Sequence, residues 1–217
     1  MERHILRSLL RWKETTPRKP LILKGARQVG KTWALREFGR REYRDAGNGV
    51  HYFDFQRQYG ELTPVFDSSR DPRTILRELS LITGSHIERH DLIVFDEVQN
   101  CPPAVESLKY FAEEYPEQAL ICAGSHLNLL ETVRGFSFPV GKVTFLEMFP
   151  MTFSEFVRAI DPGLADILDE WTPGEPFLQT AHRRALELIT EYQMTGGLPE
   201  AVAAWRSSRD TPVDGAA

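Results

Sequence analysis

Gly25-Ala26-Arg27-Gln28-Val29-Gly30-Lys31-Thr32 follows directly on the apolar run Leu21-Ile22-Leu23. The pattern is G-x-x-x-x-G-K-T opening off a strand, and each fixed residue has a physical task. Gly25 and Gly30 admit backbone angles that a side chain would block. Successive N–H groups, those of Ala26, Arg27, Gln28 and Val29 included, can then turn inward around anionic oxygens. The helix-like stretch Trp33-Ala34-Leu35-Arg36-Glu37-Phe38 adds its positive N-terminal end. Lys31 brings an ammonium to terminal phosphates, and Thr32 offers a hydroxyl to Mg²⁺. At average composition the four fixed positions coincide by chance in roughly one chain of this length in a hundred. The segment Gly25 to Trp33 is therefore expected to hold a nucleotide and its magnesium.

A second segment supports the first. Leu92-Ile93-Val94-Phe95 is apolar throughout, as a strand covered on both faces should be, and it ends in Asp96-Glu97. An open α/β sheet places its ligands at the carboxyl ends of its strands. Asp96 is the expected second contact to Mg²⁺. Glu97 is the expected base, or orienting group, for a water attacking the γ-phosphate. A third apolar strand ends Ala123-Gly124-Ser125-His126. Ser125 is the candidate polar residue between the two motifs; His126 reads as a solvent-facing neighbour.

Between these motifs strands alternate with helices, which predicts a parallel sheet with helices on both faces. Strands are expected at 21–24, 50–55, 92–95, 119–123 and 142–146. Helices are expected at 2–13, 31–42, 71–83 and 102–115. Asp71-Pro72 has the form of an N-cap followed by proline at the first helical position. After Pro150 the pattern turns to helices only, about 152–160, 177–193 and 198–206. Pro162, Pro173 and Pro176 suggest an irregular connection over 161–176, and Gly196-Gly197-Leu198-Pro199 reads as a hinge or a tight turn. The expected division is a nucleotide-binding core at 1–150, a helical segment at 151–206 and a disordered tail at 207–217.

Composition excludes several classes. The chain has 217 residues, 41% apolar and 26% charged, which is an ordinary globular balance. No apolar run reaches the ~20 residues that span a bilayer, so no membrane partner is expected. Cys101 and Cys122 have no metal-ligand spacing and read as reduced thiols, which fits a cytoplasmic chain. Residues 1–44 hold 13 of the 26 Lys and Arg but four of the 31 Asp and Glu. Arg3, Arg7 and Arg11 fall on one face of the first helix opposite Leu6, Leu9 and Leu10. That spacing favours a solvated amphipathic face over a nucleic-acid surface.

Five segments together resemble a prokaryotic AAA-type P-loop ATPase family, in which the ATPase core is followed by a C-terminal domain of unknown function. They are residues 23–32, Phe95-Asp96-Glu97-Val98-Gln99-Asn100, Ala123-Gly124-Ser125, 149–156 and 196–202. The resemblance reaches to about residue 205. It implies an additional-strand sheet of order 5-1-4-3-2, ATP and Mg²⁺ as ligands, and a role for Ser125 at the γ-phosphate. Members usually run beyond residue 217, so a C-terminal domain is expected to be missing from this chain. Where the family often has Gly-Arg before the fifth strand, a candidate arginine finger, Gly141-Lys142 stands here. Lysine is a point charge, not a bidentate fork; Arg134 lies nearby but does not match. The expected function is Mg-dependent ATP hydrolysis driving a switch toward an unknown protein or nucleic-acid partner, with ATP-dependent oligomerisation open. The alternative is a nucleotide-gated binding module, DNA-associated or not, with negligible turnover. A small-molecule kinase fits less well because no acceptor-binding lid is evident.

Overall fold

The structure is a computed structural model and describes residues 2–125, 127 and 138–210. His126 and Arg134 lie outside the described residues. The chain divides into two compact units. The larger comprises Ile5–Arg27 and Lys31–Met148; the other comprises Met1–His4, Gln28–Gly30 and the chain from Phe149 onward.

In the larger unit the order is α1 (Ile5–Glu14), β1 (Leu21–Lys24), α2 (Lys31–Glu42), β2 (Val50–Asp54), α3 (Tyr59–Ser68) and α4 (Pro72–Thr83). There follow β3 (Leu92–Asp96), α5 (Pro102–Glu114), β4 (Ala119–Gly124) and β5 (Thr144–Glu147). The five strands form one parallel sheet of order β2-β3-β4-β1-β5. Read from the other edge, this is the expected order. Burial follows position in the sheet. Every residue of β3 and β4 is buried, whereas the edge strands β2 and β5 alternate. Central strands of a parallel sheet are covered on both faces, so they read as continuous apolar runs. Phe53, Phe55, Phe66 and Phe95 pack in tilted or edge-to-face pairs with centroids 5.4–5.9 Å apart, the geometry that aromatic quadrupoles prefer.

Helix α4 begins as its sequence indicates. The Asp71 carboxylate accepts from Arg73 and Thr74 N–H, Pro72 occupies the first turn, and Gly84 closes the other end at φ 64°. Helix α3 was not anticipated. Pro64 lies inside it, yet Leu62, Val65 and Phe66 are buried along its inner face, and that packing outweighs the lost backbone bond. No helix among the described residues is long and apolar enough to cross a membrane.

The other unit carries α6 (Phe153–Ile160), α7 (Pro162–Glu170), α8 (Gln179–Thr195) and α9 (Pro199–Asp210). Phe156, Val157, Leu188 and Val202 are fully buried at its centre. A reciprocal capping box starts α6: Glu155 N–H donates to Thr152 Oγ1, and the Glu155 carboxylate accepts from Thr152 N–H. Gly197 lies in the α8–α9 turn, and its carbonyl accepts from Met151 N–H at 2.6 Å. A Cβ on Gly197 would lie 2.3 Å from the Met151 carbonyl oxygen, so the turn needs glycine there.

Four expectations need correction. Residues 161–176 are not wholly irregular, because α7 occupies Pro162–Glu170. Its proline sits at the first helical position behind Asp161, whose carboxylate accepts from Leu164 N–H at 3.0 Å. That is the arrangement recognised at Asp71-Pro72. The last helix continues through Ser207 to Asp210. The fifth strand starts at Thr144, two residues late. The first helix starts at Ile5, so Arg3 is not on its exposed face; Arg3 is 4% exposed.

Candidate nucleotide-binding site

The loop after β1 has the backbone its glycines predict. Gly25 and Gly30 have φ of 154° and 95°, and Gln28 adopts 65°. A Cβ at Gly25 would fall 2.3 Å from the Met148 carbonyl oxygen, so this position excludes every larger residue. A non-glycine residue in the left-handed region costs about 1–3 kcal/mol, and such strain collects where function requires a particular backbone. Within the loop, the side chains of Ala26, Arg27 and Gln28 are exposed and that of Val29 is buried. Trp33, in the first turn of α2, is 41% exposed.

Lys31, at the start of α2, is buried. Its Nζ donates to the Gly25 and Ala26 carbonyls at 2.9 and 2.8 Å. Burial is the main cause of its lowered pKa, and the charges of Glu97 and Asp96 oppose that effect. Thr32 Oγ1 donates to Asp96 Oδ2 at 2.7 Å, which joins the loop helix to the end of β3. Tyr52 on β2 also donates its phenol to Asp96 Oδ2. Burial and this contact push the Tyr52 hydroxyl well above its ordinary range. The Arg36 guanidinium lies 5.0 Å from the Tyr52 ring centroid. Sequence reasoning missed Tyr52; its place two residues before Asp54, on the same side of the strand, was the available signal.

Among the described residues, Glu97 is the other non-glycine residue at positive φ, 53°. Its N–H donates to Asp96 Oδ1 at 3.0 Å, and its carboxylate accepts from Gln99 Nε2 at 2.5 Å. Gln99 lies in the segment that carries the family resemblance, two residues beyond Glu97. Its other amide atom, Oε1, is buried without a hydrogen-bond partner, as is Ser125 Oγ. A buried polar atom left unpaired costs about 1–3 kcal/mol. An unpaired amide oxygen on the residue that holds the Glu97 carboxylate, and an unpaired hydroxyl at the end of the neighbouring strand, suit a polar ligand. Ser125 directly follows β4, which lies between β1 and β3.

The donor set fits magnesium: the Thr32 hydroxyl and Asp96 carboxylate are hard oxygens within one coordination shell of each other. The loop, its lysine and the N-terminus of α2 fit a polyphosphate. Among the described residues no group of three or more His, Cys, Asp or Glu forms a separate metal site. Cys101 and Cys122 are buried and unpaired; burial raises the Cys101 thiol to about 11.

The basic N-terminal stretch is largely engaged within the chain. Lys13 pairs with Glu42, Arg40 and Arg41 pair with Glu37, and Arg18 and Lys19 donate to backbone carbonyls. Lys142 is held by Glu113 at 2.9 Å.

In this sheet β4 separates the strand leading into the phosphate loop from the strand ending in Asp96. That insertion defines a P-loop nucleotide-binding protein of the additional-strand class. The "AAA domain" family model matches residues 17–157, and the chain belongs to this family of P-loop ATPases. No curated protein matches it in sequence.

Similar solved structures include AMPPCP-bound DnaA from Aquifex aeolicus, at 14% identity and a TM-score of 0.56 over 97% of this chain and 60% of that one. Drosophila ORC bound to DNA gives 14% and 0.52 over 92% and 57%. PCH-2 from C. elegans gives 11% and 0.51 over 96% and 61%. At these identities the likeness concerns the fold alone. The chain spans about three fifths of the length of these structures.

Proposed function

We propose that this chain hydrolyses ATP with magnesium and uses the cycle to change its contacts with a partner. The observation that carries the reading is the junction of Lys31, Thr32, Asp96 and Glu97 at the carboxyl end of β1 and β3. Loop N–H groups from Gly25 to Thr32 and the Lys31 ammonium bind the β- and γ-phosphates. Thr32 and Asp96 hold Mg²⁺, which when bound neutralises charge developing on the phosphoryl oxygens. Glu97 orients the attacking water and accepts its proton, with Gln99 steadying the carboxylate. Ser125 Oγ donates to the γ-phosphate side of the site. Binding by such a loop is stabilised by backbone dipoles and one buried ammonium, so positioning supplies most of the catalysis.

The reading is tested with Glu97→Gln, which keeps the shape of the side chain and removes its charge. Mg-ATP binding should persist while phosphate release falls at least tenfold, as loss of a general base implies. Equal turnover in both proteins would remove Glu97 from the reaction.

A second reading, nucleotide-gated binding with very slow turnover by the chain alone, is favoured by one observation. Lys142 stands where an arginine finger would be, and it is paired with Glu113. Tight Mg-ATP binding without phosphate release, in wild type as in Glu97→Gln, would select it. The partner class, protein or nucleic acid, is addressed by mass measurement of the chain with Mg-ATP against ADP, with and without DNA. An ATP-dependent dimer or ring supports a finger supplied in trans, and an unchanged monomer supports a switch within one chain.

A further inference from the structure

Arg3 was expected on a solvated helix face and is instead buried, with all three guanidinium nitrogens engaged. Nη1 donates to the Val29 carbonyl at 2.7 Å, Nη2 to the Phe149 carbonyl at 2.7 Å, and Nε to Glu155 Oε1 at 3.1 Å. Glu155 is fully occupied as well. Its Oε1 also accepts from His4 N–H at 2.6 Å, and its Oε2 accepts from Thr152 N–H at 2.8 Å. The planar guanidinium is therefore fixed on three sides.

We propose that Arg3 is a positioning residue for the phosphate loop, holding the Val29 carbonyl so that the Val29–Gly30 peptide keeps its N–H turned toward bound phosphate. The inference rests on the nucleotide-binding reading of that loop. In a trans peptide the C=O and N–H point in opposite directions. Clamping the Val29 oxygen from outside the loop thus directs the Gly30 N–H to the inside. The clamp sits where the backbone is least able to hold itself. Gln28 and Gly30, on either side of Val29, have φ of 65° and 95°. The Val29 side chain is fully buried, so both ends of the residue are anchored. Only an arginine fork can serve two carbonyls and a carboxylate in one plane; a lysine ammonium cannot.

A merely structural strap would lower stability without altering affinity at a given temperature, which separates the two roles. The test uses the 217-residue chain, calorimetric titration with Mg-ADP, thermal denaturation, and hydrogen exchange of the loop. The proteins are wild type, Arg3→Gln, Arg3→Lys, Glu155→Gln and Lys31→Ala. Arg3→Gln should weaken Mg-ADP binding about tenfold, the order expected for one charge-assisted hydrogen bond, and should speed exchange of residues 25–32. Glu155→Gln disturbs the same buried pair but leaves an acceptor for Arg3. It should lower the melting temperature and change affinity by less than about threefold on the same scale.

Wild-type affinity in Arg3→Gln would overturn the inference, as would affinity losses in both variants that merely track their loss of stability. If Arg3→Gln does not fold, Arg3→Lys decides. Weaker binding with faster loop exchange supports the role, and wild-type affinity overturns it. Lys31→Ala keeps the two failures distinct. Undiminished binding there removes the nucleotide reading itself, and the inference with it. Lost binding there beside unchanged Arg3 variants removes only Arg3.

Discussion

Replacing Gly124 by alanine puts a methyl where the end of β4 has no room for one. The added Cβ would lie 2.4 Å from Gln99 Oε1, 2.9 Å from Leu127 Cγ and 3.1 Å from Leu127 Cδ2. Leucine can yield by tenths of an ångström, but the glutamine amide must retreat by about 1 Å to reach ordinary contact distance. The same amide donates to Glu97 at 2.5 Å, so the retreat stretches that bond to the limit at which it counts as one. A hydrogen bond to a charged group contributes about 1.5–3 kcal/mol. Lost at Glu97, the residue proposed to orient water, it should lower turnover roughly 10- to 150-fold. Overpacking against Leu127 costs a further ~1–3 kcal/mol of stability.

The assay is phosphate release at saturating Mg-ATP, with Mg-ADP affinity and melting temperature measured beside it. The expected pattern is a reduced kcat, a nearly unchanged Kd and a lower Tm. A lower Tm with wild-type kcat would refute the link from Gly124 through Gln99 to Glu97.

Two further outcomes concern stability. Thr152→Ala removes half of the capping box at α6 and should cost about 1 kcal/mol, a Tm decrease of roughly 2–4 °C by calorimetry. Asp91 is buried against His51, its Oδ2 lying 2.9 Å from His51 Nε2, and it also accepts from Gly49 and Glu88 N–H. Burial alone would raise its pKa, but these bonds carry it below the ordinary 3.8. A depressed carboxylate stabilises the fold fully above its unfolded pKa and ceases to do so as pH falls through the folded value. Asp91→Asn should therefore unfold at lower denaturant than wild type at pH 7, with the gap closing below about pH 4. A gap that is constant down to pH 2 would contradict the assignment.

The parts of the fold legible in the sequence were those whose signal is local. β3 and β4 are continuous apolar runs because both faces are covered. The phosphate loop and Asp71-Pro72 carry their chemistry in adjacent residues. Most of what escaped depends on distant partners. Helix α3 holds Pro64 in its interior and is decided by burial of Leu62, Val65 and Phe66. Asp161-Pro162 was obscured by two further prolines downstream. Tyr52 reaches Asp96 only once the sheet order sets β2 beside β3, and Gln99 meets Gly124 only once it sets β3 beside β4. Arg3 fitted a helical spacing that begins, in fact, two residues later; its partners are 26 and 152 residues away, beyond any periodicity.

Equilibrium titration of Mg-ATP into wild type and Lys31→Ala reads out whether residues 25–32 hold the nucleotide. Lys31 donates to loop carbonyls and no other described side chain in the loop supplies a buried ammonium. Saturable one-to-one binding to wild type is expected, weakened at least tenfold in Lys31→Ala, about 1.4 kcal/mol or more. Equal affinity in the two proteins, or no binding to wild type, would contradict it.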